Sequence, residues 1–382
     1  MHIIVAPDSF KGSLTAKEVA TAMATGIKRV FSTAKIDKIP IADGGEGTVD
    51  ALITATKGKL HETMVQNPLG EPVKATWGIL GNGSDTAIIE MAAASGLLLI
   101  PEKERNIRSA STYGTGQLIK AALDQGSRRI IIGIGGSATN DGGAGMASAL
   151  GVRFFDADNN LLPSGGAALA KLDHIDMQQL DNRLIHTEIL IASDVNNPLC
   201  GEKGASAVYG PQKGATPEIV KELDTALFHY NEIAKRDVGI NANSLSGSGA
   251  AGGLGAGLML FASGKMRNGI ELILDTLQFA DLIQNADFII TGEGHTDFQT
   301  AHGKAPVGIA QVAKKYQIPV ICLSGALGNG AEQVLQQGIS AITSAPHCPM
   351  TLENCMQNAK KLLEDATERT CRLLQVGMQL NK

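Results

Sequence analysis

The chain has 382 residues, of which 43% are hydrophobic and 19% charged, and its formal net charge is −5 at pH 7. This composition is typical of a globular protein and excludes a disordered chain or a coiled coil. The negative charge and the lack of dense Lys/Arg runs predict no nucleic-acid partner. No stretch approaches the ~18 apolar residues of a membrane span, and the first residues lack a signal-peptide pattern, so we expect a cytoplasmic protein without a membrane partner.

Five cysteines without a CxxC pair indicate neither a disulfide framework nor a zinc site. The length exceeds what one hydrophobic core usually supports, which favours two domains. Glycine is abundant, with 45 residues that concentrate in loops such as 133–145 and 247–257. Because glycine has no Cβ, such loops bring backbone N–H groups close to a ligand.

The N-terminal region predicts two consecutive β-loop-α units. Residues 3–6 form a short apolar run that ends at Pro-Asp-Ser, which indicates a buried parallel strand followed by a loop. Thr15 and Glu18 form a capping box at the start of a helix. Residues 36–42 predict a second strand and residues 49–55 a second helix.

The middle region shows a different pattern of predicted strands and helices. Strand-like runs at 62–66, 73–80 and 86–91, separated by glycine-containing turns, predict an antiparallel meander. The pattern then predicts a helix at 115–125, a strand at 129–134, a small-residue helix to 150, strands at 152–155 and 188–192, and helices at 217–234 and after 252.

From residue 287 strands and helices alternate again. The predicted strands are 288–291, 320–323 and 341–344, and the predicted helices are 306–316, 331–337 and 352–376. Together with the N-terminal units they would form one five-stranded, parallel, doubly wound sheet. The sequence therefore predicts an α/β fold in which a first domain, residues 1–60 and 285–382, is interrupted by a second α/β domain at 61–284, with a cleft where the crossing chains meet.

Polar residues follow the predicted parallel strands, where ligands bind in such sheets. An isolated aspartate after a strand is more often a helix cap than a catalyst, but several at one edge favour a functional site. These candidates are Asp8, Ser9, Lys11, Asp43, Glu46 and Glu293.

The glycine-rich loop at 133–143 follows a strand and precedes a helix, an arrangement that binds phosphate through backbone amides. Its glycines also fit a dinucleotide fingerprint, with Asp156 about twenty residues further on. That fingerprint requires the helix at once, whereas Asn140 and Asp141 delay it, and we expect both side chains to contact the ligand. The predicted phosphate-binding residues of this loop are Gly135, Gly136, Ser137, Asn140 and Asp141.

A second glycine-rich loop at 247–255 also fits GxGxxG, but polar residues precede it where that motif requires a strand. Two interpretations stay open here. The loop either allows close helix packing through small residues or forms a second phosphate cradle that includes Gly249, Gly252 and Gly253.

The motifs of several enzyme classes are missing. The sequence contains no P-loop, no protein-kinase HRD or DFG set, no GxSxG elbow and no HExxH zinc motif. Lys11, Lys213 and Lys304 lie in glycine-flanked loops from which a lysine can reach a phosphate, although a solvated surface lysine is the commoner case. Among the histidines only His302, beside Gly303 and Lys304, is a candidate.

Six sequence blocks, in order along nearly the whole chain, resemble the bacterial glycerate kinase family. They are 6–14 (APDSFKGSL), 42–48 (ADGGEGT), 90–97 (EMAAASGL), 133–146 (GIGGSATNDGGAGM), 210–214 (GPQKG) and 291–294 (TGEG). The resemblance implies phosphorylation of D-glycerate, usually to 2-phosphoglycerate, with ATP and Mg²⁺. It also implies a flavodoxin-like domain with a second α/β domain inserted.

The chain departs from this family at two places. His295 stands where the family usually has arginine. The replacement removes a permanent positive charge that would be available to bind the substrate carboxylate. Leu245 to Gly249 replace a Pro-Gly-Ala-Gly start of the second glycine-rich loop, a change that should spare backbone contacts.

Phosphoryl transfer requires positioned substrates, neutralised charge and an oriented hydroxyl group. We assign catalysis to Asp194, Asp43, Lys11 and Asp8, with Asp194 as the favoured base. Lys213 joins both glycine-rich loops in binding phosphate. Substrate binding is assigned to Ser9, Glu46, His302 and Lys304, and Mg²⁺ to Glu293 and Asp297.

Three other functions stay open: phosphorylation at the 3-hydroxyl, an NAD-dependent hydroxy-acid dehydrogenase, and a module that binds ATP without turning it over. The sequence also leaves a homo-oligomer open.

Overall fold

The computed structural model describes residues 1–380, which divide into two compact units. The first unit contains Met1–Asp43, Asp50–Thr56 and the chain from Ile270 onward. The second contains Gly44–Val49 and Lys57–Gly269. Each unit has its own sheet and its own hydrophobic core.

Within residues 1–380 the strands are β1 (His2–Val5), β2 (Lys35–Lys38), β3 (Lys59–Gln66), β4 (Pro72–Ile79), β5 (Thr86–Glu90), β6 (Arg129–Gly133), β7 (Arg153–Phe155), β8 (His174–Asp176), β9 (Glu188–Ala192), β10 (Lys265–Arg267), β11 (Phe288–Thr291), β12 (His295–Thr296), β13 (Val320–Ser324), β14 (Ala326–Leu327) and β15 (Ala341–Ser344).

The α-helices are α1 (Ala16–Lys28), α2 (Thr48–Thr56), α3 (Ala92–Ser95), α4 (Tyr113–Asp124), α5 (Ala144–Ala149), α6 (Ala205–Tyr209), α7 (Pro217–Asp237), α8 (Ala250–Ala262), α9 (Gly269–Thr276), α10 (Phe279–Ile283), α11 (Ala305–Lys314), α12 (Leu352–Gln357) and α13 (Ala359–Leu380). Short 3₁₀ helices lie at Leu97–Leu99, Glu102–Glu104, Gly166–Lys171, Asn182–His186, Pro211–Lys213, Ala242–Ser244, Thr300–His302 and Ala331–Gln337.

The first unit is built on a five-stranded sheet with the order β15-β13-β11-β1-β2, in which every neighbouring pair is parallel. Read from β2, this is the flavodoxin-like order, so the predicted five-stranded parallel sheet is confirmed, and its strand order is consistent with a doubly wound fold. Thr15 and Glu18 form the predicted capping box at the start of α1. Buried residues of α1 and α13 pack with β1 and β11 in one core cluster.

The second unit has a six-stranded mixed sheet with the order β10-β9-β6-β5-β4-β3. The predicted antiparallel meander is confirmed in β3, β4 and β5, and β5, β6, β9 and β10 then continue the sheet in parallel. Of these parallel strands, β5, β6 and β9 are mostly buried hydrophobic runs, as is typical of parallel strands that helices cover on both faces, whereas the short edge strand β10 is not. The carboxyl ends of these four strands lie along one edge.

Several element predictions need correction. Residues 331–337 form a 3₁₀ helix rather than an α-helix, and the helix expected over 352–376 is divided at Asn358 into α12 and α13. Asparagine competes with the helix backbone for hydrogen bonds, which favours an end at this position. β2 ends at Lys38, four residues earlier than expected.

The domain bounds predicted from the sequence stay a prediction, and the two units differ from them in detail. The structure groups Gly44–Val49 with the second unit and the chain from Ile270 with the first. None of the helices within residues 1–380 combines the length and apolar character needed to cross a lipid bilayer.

Candidate functional site

A cavity of about 900 Å³ opens in the first unit, at the carboxyl edge of its parallel sheet. Residues that follow β1, β2, β11, β13 and β15 all contribute to its wall. Six of the residues predicted from the sequence line this one cavity: Asp8, Ser9, Lys11, Asp43, Glu293 and Lys304. Because the strands are parallel, their carboxyl ends lie at one edge of the sheet, and the polar groups that follow them come close together although they are far apart in sequence.

Asp8 is the acid of the cavity wall whose pKa is shifted most from its ordinary value. Its side chain is only 6% exposed, and one carboxylate oxygen accepts a hydrogen bond from the backbone N–H of Ser9 at 2.6 Å. Burial, followed by repulsion from Asp43, raises the pKa of Asp8 to about 7, against a smaller opposing effect of Lys11. A carboxyl group with this pKa can accept a proton near neutral pH.

Glu293 and Asp297 are held by Lys304. The Lys304 ammonium lies 4.0 Å from Glu293 Oε2 and 3.9 Å from Asp297 Oδ1. Glu293 Oε1 accepts hydrogen bonds from the hydroxyls of Thr300 at 2.6 Å and Thr296 at 3.2 Å. Burial raises the pKa of Glu293, and the two hydroxyls and Lys304 oppose that rise.

In the structure Glu293 and Asp297 already have protein partners. The single positive charge of Lys304 lies near both carboxylates and offsets one of their two negative charges, and Asp297 Oδ1 also accepts the backbone N–H of Gln299 at 2.9 Å. Within residues 1–380 no cluster of three acidic, histidine or cysteine side chains is arranged to hold a metal. The assignment of Mg²⁺ to this pair stays a prediction.

The two histidines near the cavity differ in position. His302 is exposed, is not among the residues that line the cavity, and has Nδ1 2.9 Å from the carbonyl of Phe298. His295 lines the cavity and has Nε2 3.9 Å from Asp297. Contact with a ligand in the cavity is therefore better supported for His295 than for the predicted His302.

The remaining predicted residues belong to the second unit, and several of them gather at the carboxyl edge of its sheet. Gly133 at the end of β6 is in register with Ala192 at the end of β9, and a Cβ on Gly133 would lie 2.3 Å from the carbonyl oxygen of Gly44. Asp194 follows β9, is exposed, and accepts the backbone N–H of Gly269 at 2.9 Å. Glu46, in the segment that starts at Gly44, is exposed too.

The loop after β6 shows why the dinucleotide interpretation fails. β6 ends at Gly133 and α5 begins only at Ala144, so no helix starts within the fingerprint. Gly135 and Gly136 are the exposed part of this loop, whereas residues 137–143 are buried. Backbone groups at Gly135 and Gly136 are thus the accessible ones.

Asn140 and Asp141 point into the protein. Asp141 is 1% exposed and accepts hydrogen bonds from Thr112, both backbone and hydroxyl, and from the N–H groups of Gly143 and Gly145. Asn140 is fully buried and donates to Ser206 at 2.9 Å. Asp141 therefore holds the turn that leads into α5, and ligand contact by either side chain stays a prediction.

Lys213 is also buried, with 1% of its surface exposed. Its ammonium donates to the hydroxyl of Ser137 at 2.5 Å and to the carbonyl of Thr139 at 2.7 Å. Burial lowers the pKa of Lys213 to about 7, although Asp141 acts in the opposite direction. In this conformation Lys213 fixes the glycine-rich loop from inside.

The second glycine-rich loop packs closely against the first. Gly252 has a φ of +67°, and a Cβ there would lie 1.9 Å from the carbonyl oxygen of Thr139. A Cβ on Gly253 would lie 2.6 Å from the Cα of Gly142, and one on Gly249 would lie 2.1 Å from the carbonyl oxygen of Pro198. These distances explain the glycines by close packing, and a phosphate cradle here stays a prediction.

Comparison with known proteins agrees with the resemblance seen in the sequence. The model of the glycerate kinase family matches residues 3–375. The chain is 51% identical to a glycerate kinase of Haemophilus influenzae, covering 98% of this chain and 99% of that protein. It is 46% identical to a glycerate 2-kinase of Escherichia coli, with 99% of both chains covered.

The chain belongs to the glycerate kinase family. A crystal structure from Salmonella typhimurium LT2, provisionally described as glycerate kinase 2, superposes with a TM-score of 0.90 at 46% identity and covers all of both chains. The fold of this member of the glycerate kinase family is therefore shared with a solved structure throughout its length.

One residue of this glycerate kinase family member was missed by the sequence reasoning. Glu90 ends β5, and its carboxylate accepts the backbone N–H of Val49 at 2.7 Å, with further backbone hydrogen bonds from Gly47 and Thr48. Burial raises the pKa of Glu90. Glu90 begins one of the six sequence blocks that resemble the family, and this position was the signal that could have identified it. Its hydrogen bonds hold the segment that carries Glu46.

Proposed function

We propose that this chain is a glycerate kinase that transfers the terminal phosphoryl group of ATP to the 2-hydroxyl of D-glycerate. The observation that carries the proposal is the match, at 46% identity over 99% of both chains, to a protein described as glycerate 2-kinase. The cavity supports it, because acidic and basic side chains from several strand ends line a single cavity.

Asp8 is our candidate for accepting the proton of the attacking hydroxyl. A general base works best when its pKa lies near the working pH, and burial raises the pKa of Asp8 to about 7. Asp194, the base favoured from the sequence, is exposed and stays an alternative.

Charge neutralisation is assigned to lysines of the cavity wall. Lys11 is exposed there, and Lys304 is close enough to exchange its contacts with Glu293 and Asp297 for contacts with phosphate oxygens. The exposed turn at Gly135 and Gly136 is proposed to bind phosphate through backbone N–H groups. A requirement for Mg²⁺ follows from the family resemblance and stays a prediction, as do a cytoplasmic location, the absence of a nucleic-acid partner and a homo-oligomer.

Phosphorus NMR of the product formed from ATP and D-glycerate tests the proposal directly, because the 2-phosphate and the 3-phosphate give separate signals. We expect ADP and 2-phosphoglycerate in equal amounts. A 3-phosphoglycerate signal would assign the other hydroxyl, and no consumption of ATP in the presence of D-glycerate would contradict a kinase. L-glycerate serves as the control substrate.

A further inference from the structure

The cavity of the first unit has two chemically different walls. The polar wall carries the charged residues described above, including Asp8, Lys11 and Lys304. A second, apolar wall is formed by lining residues within 345–362, which follow β15 and belong to α12 and α13; it includes Ala345, Pro346, Met350, Leu352, Met356 and Leu362. Within the described residues, this second wall contributes no carboxylate, lysine or arginine to the lining.

The cavity is much larger than the proposed acceptor. The cavity has a volume of about 900 Å³, whereas one water molecule takes about 30 Å³ in the liquid. A small hydroxy acid therefore fills only part of the cavity. Glycerate also carries a polar group on every carbon. It therefore gains nothing from the apolar wall, which is left for a different chemical group.

The apolar wall is a firm part of the unit. Met350 and Cys355 pack against the core cluster formed by β1, β11, α1 and α13. Met356 reaches the loop after β1, because a Cβ on Gly12 would lie 3.0 Å from the Met356 Cε. Thioethers, here those of Met350 and Met356, form favourable contacts with flat aromatic groups.

We propose that this apolar wall binds the base and ribose of the nucleoside triphosphate donor. The phosphates of the donor then extend along the cavity to the polar wall, where Lys11 and Lys304 carry positive charge. The proposal rests on the proposed kinase function. It adds that the first unit supplies the nucleoside subsite, and that residues 345–356 are its main part.

The cysteines allow a test on the unmodified protein. Cys348 is exposed and Cys355 half-buried, and both line the apolar wall, whereas Cys200, Cys322 and Cys371 are buried. Alkylation by iodoacetamide, followed by peptide mass mapping, measures each thiol separately. We expect saturating ADP or adenosine to slow alkylation of Cys348 and Cys355 several-fold, while D-glycerate or inorganic tripolyphosphate leaves the rates unchanged.

This experiment has two overturning results. Equal rates with and without ADP at a concentration that saturates binding would remove the nucleoside from this wall. Protection by D-glycerate alone would assign the wall to the acid substrate.

A substitution gives an independent kinetic test. Met356 is 36% exposed, so Met356→Glu should fold, but a carboxylate there is poorly solvated beside an aromatic base. We expect the KM for ATP to rise more than about tenfold, equivalent to about 1.4 kcal/mol, with the KM for D-glycerate within about twofold. Met378→Glu is the matched control, because Met378 is 41% exposed on α13 and does not line the cavity.

The kinetic result separates the two proposals. If Met356→Glu leaves the KM for ATP unchanged, or raises only the KM for D-glycerate, the nucleoside subsite is wrong while the kinase function stands. If the wild-type chain shows no kinase activity, the kinase function fails, and protection of Cys348 by adenosine still reports whether the wall binds a nucleoside.

Discussion

The ammonium group of Lys213 lies 2.5 Å from the hydroxyl of Ser137, deep in the second unit. A buried lysine is thereby attached to the glycine-rich loop after β6, and a second hydrogen bond joins it to the carbonyl of Thr139 at 2.7 Å. The loop shape thus depends on a group whose charged form is disfavoured by its surroundings.

Lys213 should make stability depend on pH. Burial lowers the pKa of Lys213 from 10.5 to about 7, so between these values the unfolded chain binds a proton that the folded chain lacks. Stability therefore rises with pH across that window, by at most about 1.4 kcal/mol per pH unit. Urea unfolding of wild type and Lys213→Met from pH 7 to 9.5 should show the difference in stability growing in favour of wild type.

Comparing the two proteins cancels titrations that they share, such as those of the cysteines. Parallel stability curves would show that Lys213 does not titrate in this window. Lys213→Arg is a second variant, because arginine keeps its charge throughout and should remove the pH dependence while retaining hydrogen-bond donors.

Asp8 should set the acidic side of the activity profile. Because burial and Asp43 raise the pKa of Asp8 to about 7, the carboxylate form needed to accept a proton is lost below that pH. We expect kcat/KM of wild type to fall below pH 7, and Asp8→Asn to lower kcat by about 10² to 10⁴ and abolish that limb. Steady-state assays between pH 5.5 and 8.5 measure both effects, with Asp158→Asn in an exposed turn as control.

Asp8 should also lower stability at neutral pH. Its folded pKa is raised above the ordinary value of 3.8, so the folded chain binds the extra proton between about 4 and 7, and stability is lost as pH rises through this range. Asp8→Asn lacks this loss. A Tm for Asp8→Asn that exceeds that of wild type more at pH 7 than at pH 4.5 supports this sign, and a constant difference contradicts it.

Asp194→Asn distinguishes the two candidate bases. Asp194 accepts the backbone N–H of Gly269 at 2.9 Å and is exposed, so the amide should keep the fold. If Asp8 is the base, we expect Asp194→Asn to retain the acidic limb of the kcat/KM profile. Loss of that limb, together with a fall in kcat of about 10² or more, would return the base role to Asp194.

The fold was predictable from sequence because strand and helix patterns alternate with short loops. Such alternation is typical of a parallel sheet, and the order of the five strands was the main feature that the structure had to supply. Short strands such as β10, β12 and β14 were not predicted, because two or three residues give no periodic signal.

The site was predictable in part. Strand ends indicated Asp8, Asp43 and Glu293 correctly as neighbours of one cavity. A sequence motif gives residue types but not side-chain directions, so Lys213 and Asp141 were expected to face a ligand, whereas the structure buries both. The apolar wall at 345–356 had no motif at all, since its chemistry arises only from the surfaces that meet there.

Glu90 should stabilise the segment that carries Glu46. Its carboxylate accepts the Val49 N–H at 2.7 Å and further bonds from Gly47 and Thr48, so Glu90→Ala leaves buried donors without an acceptor. We expect a loss of about 1 to 3 kcal/mol in the free energy of unfolding. Glu90→Gln retains one acceptor oxygen and should lose less, and equal losses in the two variants would show that packing rather than hydrogen bonding is responsible.

Gly252 tests whether the second glycine-rich loop is shaped by packing. Gly252 has a φ of +67°, and a Cβ would lie 1.9 Å from the Thr139 carbonyl oxygen, which is backbone and cannot easily move. Gly239 has a φ of +82° but nothing within 4 Å of a Cβ, so Gly239→Ala reports the conformational cost alone, about 1 to 2 kcal/mol. We expect Gly252→Ala to cost clearly more in urea unfolding, because the clash adds to that cost. Equal losses at the two positions would mean that the loops can separate, and the close contact would then not explain the glycine.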